Sequence, residues 1–285
     1  MINEELLIYF VTHCTVNLHL AYSTIKLYLA GIRNHYIQNS LGDPLKPGDS
    51  PLLKLQLILR GIRKDQIKLS RPRLPITADI LWQMYNSLNS GIFGPYTDLL
   101  LQTACTMAFF GFLRCGEFTV KDKKFDPHIN MTMSDIQVLY EPTLHVSVNI
   151  KVSKTDPFRE GIVIYLFPTN HTLCPVSTLL KFTRVRQAMG ALNNDPLFLL
   201  QEKIALSRHF FISSLRIILR RLNLDDSKYC GHSFRIGSAT TSASVKIPDH
   251  LIKTLGRWSS DCYQIYIQTP KSELSEAQCL LVSRL

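Results

Sequence analysis

Between Ser23 and Asn39 the apolar residues Ile25, Tyr28, Leu29, Ile32 and Tyr36 recur at i, i+3, i+4, i+7 and i+11, the stripe of an amphipathic helix. A second helix is expected after Ser50 and Pro51, an N-cap and a first-turn proline, with Leu52, Leu55, Leu59 and Ile62 on one side. Residues 1–70 therefore read as a small helical bundle. Arg71-Pro72-Arg73-Leu74-Pro75 then stops any helix, because proline lacks the amide donor and restricts the residue before it, so 71–76 reads as an extended linker.

From residue 77 to 285 the pattern is that of a larger domain. Thr77 opens a helix with Ile80, Leu81, Met84, Tyr85 and Leu88 on one side, and Thr97 to Leu113 reads as a mostly buried helix. Then the period changes to two. Leu144, Val146, Val148, Ile150 and Val152 alternate with polar residues, and Ile162, Ile164 and Leu166 repeat the alternation, predicting two strands joined by a hairpin loop over 153–161. Cys174–Met189 and Ser207–Leu222 read as further helices, with Pro196–Leu200 a short strand or extended core segment between them. The expected fold is mixed α+β, mainly helical, with a small antiparallel sheet.

Charge adds a partner class. Among 285 residues, 32 Lys and Arg face 22 Asp and Glu, a net charge of +10 that favours a polyanion. Arg60, Arg63, Lys64, Lys68, Arg71 and Arg73 cluster at the domain boundary against Asp65 alone. Such a run is either a solvated face or an arm that tracks DNA phosphates as two domains close round a duplex. The longest apolar run, Ala104–Leu113, is half of the roughly 20 residues that cross a bilayer, and the acidic N-terminus is unlike a signal peptide, so a soluble protein is expected. Seven cysteines include no Cys-x-x-Cys pair, which suggests a reducing compartment and no zinc site.

Candidate chemistry lies near the C-terminus. In Gly231-His232-Ser233-Phe234-Arg235 an imidazole and a guanidinium three apart on a helix share a face and can converge on a phosphate. Tyr263 and Tyr266 follow. Arg114 ends so apolar a segment that burying it requires an anion, either Glu117 in a structural ion pair or a bound phosphate. Lys154 stands at the start of the hairpin loop, with Lys151 the alternative if the register is shifted.

The order of these residues resembles the tyrosine recombinases, the phage-integrase family, over roughly residues 77–270. Gly111 to Glu117 is similar to the Gly-x-Arg-x-x-Glu signature of box I with one additional residue before the arginine, and His232-x-x-Arg235 to box II. Gly231–Arg235 and Leu255-Gly256-Arg257-Trp258-Ser259-Ser260-Asp261 look most like eukaryotic Crypton and DIRS-type mobile-element recombinases. The resemblance implies that Arg114, Lys154, His232, Arg235, Trp258 and Tyr266 form a catalytic site for DNA strand transfer through a 3'-phosphotyrosine, with Tyr266 the nucleophile and Tyr263 the alternative. It implies double-stranded DNA as partner, no cofactor or metal, no membrane, a nuclear location, and a tetramer on DNA built through the segment Ser272–Leu285. One position departs from the pattern. Nine residues before Tyr266, where the family has histidine or tryptophan, stands Arg257; Trp258 comes one later, so either Trp258 buttresses the phosphate pocket or Arg257 contacts DNA. The other readings are a relic that binds DNA without cleaving it and a monomeric relaxing enzyme of the type IB topoisomerase kind.

Overall fold

Asn3 caps the first helix, α1 (Glu4–Val16), its side chain accepting from the Leu6 N–H at 2.9 Å, and Glu4 and Glu5 lie in the first turn where the helix dipole favours carboxylates. The computed structural model describes residues 3–66, 73–121, 124–141, 143–153, 156, 158–269, 275, 278 and 279. They fall into two compact units, Met1–Pro72 and Arg73–Leu285.

In the first unit α1 packs with α2 (Tyr22–Gln38) and α3 (Leu53–Gln66) around Leu7, Val11, Cys14, Ile25, Leu29, Leu52 and Leu55. Ile25 and Leu29 of the expected stripe are buried, whereas Tyr28 is exposed. Ser50 does not cap α3. A 3₁₀ turn at Pro47–Asp49 delays the helix to Leu53, and the Leu55 N–H is accepted by Glu4 Oε1 at 3.0 Å. A carboxylate from α1 thus does the work expected of the serine. Gln66 closes the bundle, accepting from the Tyr22 N–H and donating to the Leu20 carbonyl.

The second unit begins with residues 73–76, expected as linker but running extended within it. Leu74 and Ile76 donate to the carbonyls of Lys228 and Ser233, both at 2.9 Å, and Ile76 is fully buried. Thr77 caps α4 (Ala78–Asn89), accepting from Ile80 as expected. Helix α5 (Pro95–Phe110) is buried at every residue from Thr97 to Phe109, which is why it shows no polar face in the sequence. After α6 (Cys115–Phe118), strands β1 (Ile136–Leu139), β2 (His145–Ile150) and β3 (Ile162–Leu166) form an antiparallel sheet in that order. Val148 pairs with Ile136 and Ile164 across the sheet, so the apolar face predicted for β2 and β3 is in register, and β1, not predicted, joins it through Ile136. As the central strand β2 also buries His145, whose ring meets those of Tyr165 and Phe167.

Helices α7 (Pro175–Ala188) and α8 (Arg208–Arg221) stand where the periodicity puts them, the latter capped by Ser207. Between them Leu197 and Phe198 are buried in an extended stretch pinned by bridges Thr132–Pro196 and Leu199–Ala205. Helix α9 (Ser233–Ser244) lies against Ile76 so closely that a Cβ on Gly237 would stand 1.7 Å from the Ile76 carbonyl oxygen. Only glycine permits that approach. Helix α10 (Asp249–Gly256) and a 3₁₀ helix, Asp261–Tyr266, complete the unit. It is a mainly helical α+β fold with one small antiparallel sheet.

Candidate functional site

The end of α5 sets the first wall. Gly111 closes the helix, Phe112 turns the backbone into the left-handed region at φ 47°, and Arg114 leads into α6. Its Nη1 donates to Glu117 Oε1 at 3.1 Å and to Ser153 Oγ at 3.0 Å, while its backbone N–H donates to Glu117 Oε2 at 2.9 Å. Both readings of Arg114 meet here, because it is ion-paired and still faces a cleft.

Glu117 has a second cation. Arg257 Nη2 donates to Glu117 Oε2 at 2.9 Å and to the Phe112 carbonyl at 3.2 Å, from a residue that caps α10 in the left-handed conformation at φ 55°. Among the described residues its buried Nη1 has no hydrogen-bond partner. Burial lowers the pKa of Arg257 and the adjacent Glu117 carboxylate opposes that shift.

Arg235, in the first turn of α9, is completely buried. Nη1 donates to the Phe112 carbonyl at 2.6 Å, Nη2 donates to the Gly256 carbonyl, and the guanidinium lies 4.3 Å from the centroid of the Trp258 ring. Burial first, and then repulsion from Arg114 and Arg257, brings its pKa down to about 10, so it stays cationic at neutral pH. Trp258 reaches this place because residue 256 is glycine: a Cβ there would stand 1.6 Å from the indole. The indole also touches the rings of Phe112, Tyr263 and Tyr266 at centroid distances of 5.9, 5.9 and 5.6 Å.

The two tyrosines, three apart on a 3₁₀ helix, both meet Trp258 but differ in access. Tyr263 is buried, and burial together with the Asp249 carboxylate raises its pKa. Tyr266 lines the cleft, its ring edge-on to that of His232 at 5.0 Å, and its carbonyl accepts from Thr240 Oγ1 at 3.1 Å. The cleft measures about 1020 Å³ and is walled by Arg114, Glu117, Ser153, Arg208, His232, Arg257, Trp258 and Tyr266.

Of the expected site residues, Arg114, His232, Trp258 and Tyr266 thus border one cavity, and Arg235 lies behind it under Trp258. Lys154 is outside the described residues. Lys151 is committed elsewhere, pairing with Asp135 at 2.6 Å and donating to Pro127 O, Asn130 O and Thr132 Oγ1. Of the basic cluster, Arg60, Arg63 and Lys64 project into solvent from α3, with Arg63 6.0 Å from the ring centroid of Tyr22. Arg73 donates to the Ser227 carbonyl in the second unit, while Lys68 and Arg71 fall outside the described residues. The tail is described only at Ser275, Gln278 and Cys279, all exposed. Among the described residues no three His, Cys, Asp or Glu side chains group to hold a metal ion, and no helix is long and apolar enough to cross a membrane.

Two cleft residues carry more than the sequence suggests. Glu117 serves two arginines rather than one, and Arg208, at the start of α8, opens onto the cavity. A carboxylate in an apolar context signals the first; the second has no signal beyond charge.

No family model and no curated protein matches the chain. Solved structures do resemble it. The XerH site-specific recombinase bound to palindromic difH substrate, a post-cleavage complex, matches with a TM-score of 0.62 and 18% identity over 97% of this chain and 69% of that one. The Tn1549 transposon integrase in complex with transposon right end DNA gives 0.61 and 12% over 99% and 86%. A lambda integrase dimer bound to a COC' core site gives 0.51 and 16% over 94% and 72%. At such identities the likeness is one of architecture, and the chain shares the fold of the tyrosine recombinases and integrases.

Proposed function

We propose that the chain is a DNA strand transferase that cleaves and rejoins duplex DNA through a 3'-phosphotyrosyl intermediate, without metal or ATP. The observation that carries this reading is Tyr266 set against His232 in a cleft walled by Arg114 and Arg257. The Tyr266 oxygen attacks phosphorus and gives up its proton to His232; the bond to the 5' oxygen breaks. A tyrosine hydroxyl titrates near about 10, so a base and a positive field are what make it a nucleophile. Arg114 supplies fixed donors for the non-bridging oxygens, the service a metal ion performs elsewhere, Arg257 adds a cation beside Glu117, and Arg235 joins them once Trp258 moves off it. On the resemblance, Lys154 protonates the departing 5' oxygen. The bond energy stays in the phosphotyrosine, so a second DNA end can reverse the step.

The finer parts of the reading are a Crypton or DIRS-type origin, action in the nucleus, DNA contacts from Arg60, Arg63, Lys64, Lys68, Arg71 and Arg73, and a tetramer assembled through the C-terminal segment. A second reading, a DNA-binding relic that no longer cleaves, has one observation in its favour. Arg235 is sealed beneath Trp258 with Nη1 and Nη2 both donating to backbone carbonyls, so in this state it does not face the cavity. Incubating the protein with nicked duplexes drawn from a randomised pool, in EDTA, and running denaturing gels separates the two. A covalent adduct that disappears in Tyr266→Phe and persists in Tyr263→Phe supports strand transfer; DNA binding with no adduct on the pool or on substrates selected from it by binding supports the relic.

A further inference from the structure

Phe112 holds a backbone conformation that residues with side chains seldom adopt, φ 47°, and it does so while 4% exposed. Glycine would sit there without cost. What accompanies the conformation is a single carbonyl oxygen used twice, accepting from Arg235 Nη1 at 2.6 Å and from Arg257 Nη2 at 3.2 Å. Arg114 follows two residues later on the same turn, and the Phe112 ring stands edge-on, at 88°, to the indole that covers Arg235. A peptide carbonyl offers two lone pairs and carries no net charge. It can therefore hold two guanidiniums close together without neutralising either. A second carboxylate in its place would cancel a charge that a phosphate needs to find. Among the described residues Glu117 is the carboxylate that opposes Arg114, Arg235 and Arg257, and these four side chains together keep a net positive charge.

We propose that Phe112 is a positioning residue: its left-handed peptide aims one carbonyl at Arg235 behind the cleft and at Arg257 on its wall, and so fixes where the two guanidiniums stand relative to the cavity that receives a DNA phosphate. The inference rests on the strand-transfer reading for its consequence, and on the backbone for its cause. The alternative is that the ring simply fills space beside Trp258. Two substitutions separate these, since both remove the ring: Phe112→Gly leaves the left-handed turn open to the chain, whereas Phe112→Val, branched at Cβ, disfavours it.

The experiment compares wild type, Phe112→Gly and Phe112→Val by the rate of covalent adduct formation on a pool of nicked duplexes with randomised flanks, alongside retention of the same duplexes and guanidinium proton exchange by NMR. Phe112→Val should form adduct on the order of 10²-fold more slowly than Phe112→Gly, the loss typical of one misplaced transition-state donor, with equal DNA retention and faster exchange at Arg235 and Arg257. Equal losses in the two variants, or unchanged exchange in Phe112→Val, would overturn the proposal. If Phe112→Val does not fold, the glycine variant decides alone: slow exchange at both arginines upholds the carbonyl's role and rapid exchange rejects it. If wild-type protein binds DNA without adduct, strand transfer fails, while the exchange measurement still judges Phe112.

Discussion

The arginines of the cleft and the basic residues of α3 carry the same charge and are built in opposite ways. Arg60, Arg63 and Lys64 stand on an exposed helical face, where each cation keeps its hydration and a choice of rotamers. Arg114, Arg235 and Arg257 have given up most of both, held by Glu117, Ser153 and the carbonyls of Phe112 and Gly256. The exposed set can follow a phosphate chain at little energetic consequence. The enclosed set presents fixed geometry, which on the proposed function would serve a transition state rather than merely attract a polyanion.

The contrast breaks first at the proposed nucleophile. Tyr266→Phe should reduce adduct formation by on the order of 10³-fold or more with DNA retention unchanged, whereas Tyr263→Phe, which removes a buried hydroxyl outside the cavity, should keep the reaction. Next comes Glu117→Ala, which leaves two partly buried guanidiniums without their carboxylate. Urea unfolding should show a loss of about 3–5 kcal/mol, and a loss near zero would mean that the carbonyls suffice. Gly237→Ala drives a methyl into the Ile76 carbonyl, so a stability loss of ~1–3 kcal/mol is expected by the same measurement. The smallest thermodynamic effect belongs to the exposed set. Replacing Arg60, Arg63 and Lys64 by alanine should move stability by less than about 0.5 kcal/mol per site. If these side chains neutralise DNA phosphates, the slope of log affinity against log salt should flatten by about 0.9 for each phosphate left unneutralised.

What could be read from the chain, and what could not, divides by distance along it. The stripe of α4 and the alternation of β2 and β3 are local periodicities, and the fold keeps them; His232 and Arg235 stand three apart at the start of α9, but His232 lines the cleft while Arg235 is buried behind it. Strand β1 is not legible because four residues, Ile136 to Leu139, with alternating partial burial give too little pattern to separate from a loop. The cap of α3 is misread because its acceptor, Glu4, is 51 residues away from Leu55. The second cation on Glu117 lies 140 residues off, and nothing at Phe112 announces a left-handed phenylalanine. Motif order names candidates. Their ties to backbone carbonyls come only with the fold.

The extended run at residues 73–76 decides where the chain can be cut. Leu74 and Ile76 are hydrogen-bonded to Lys228 and Ser233, and the latter is the residue next to His232. A gene fragment for the larger unit that starts at Thr77 would strip an extended strap from the start of the helix that follows His232 and carries Arg235, and bare the notch at Gly237. One that starts at Arg73 keeps the strap, so four codons decide whether the backbone of Ile76 still covers Gly237.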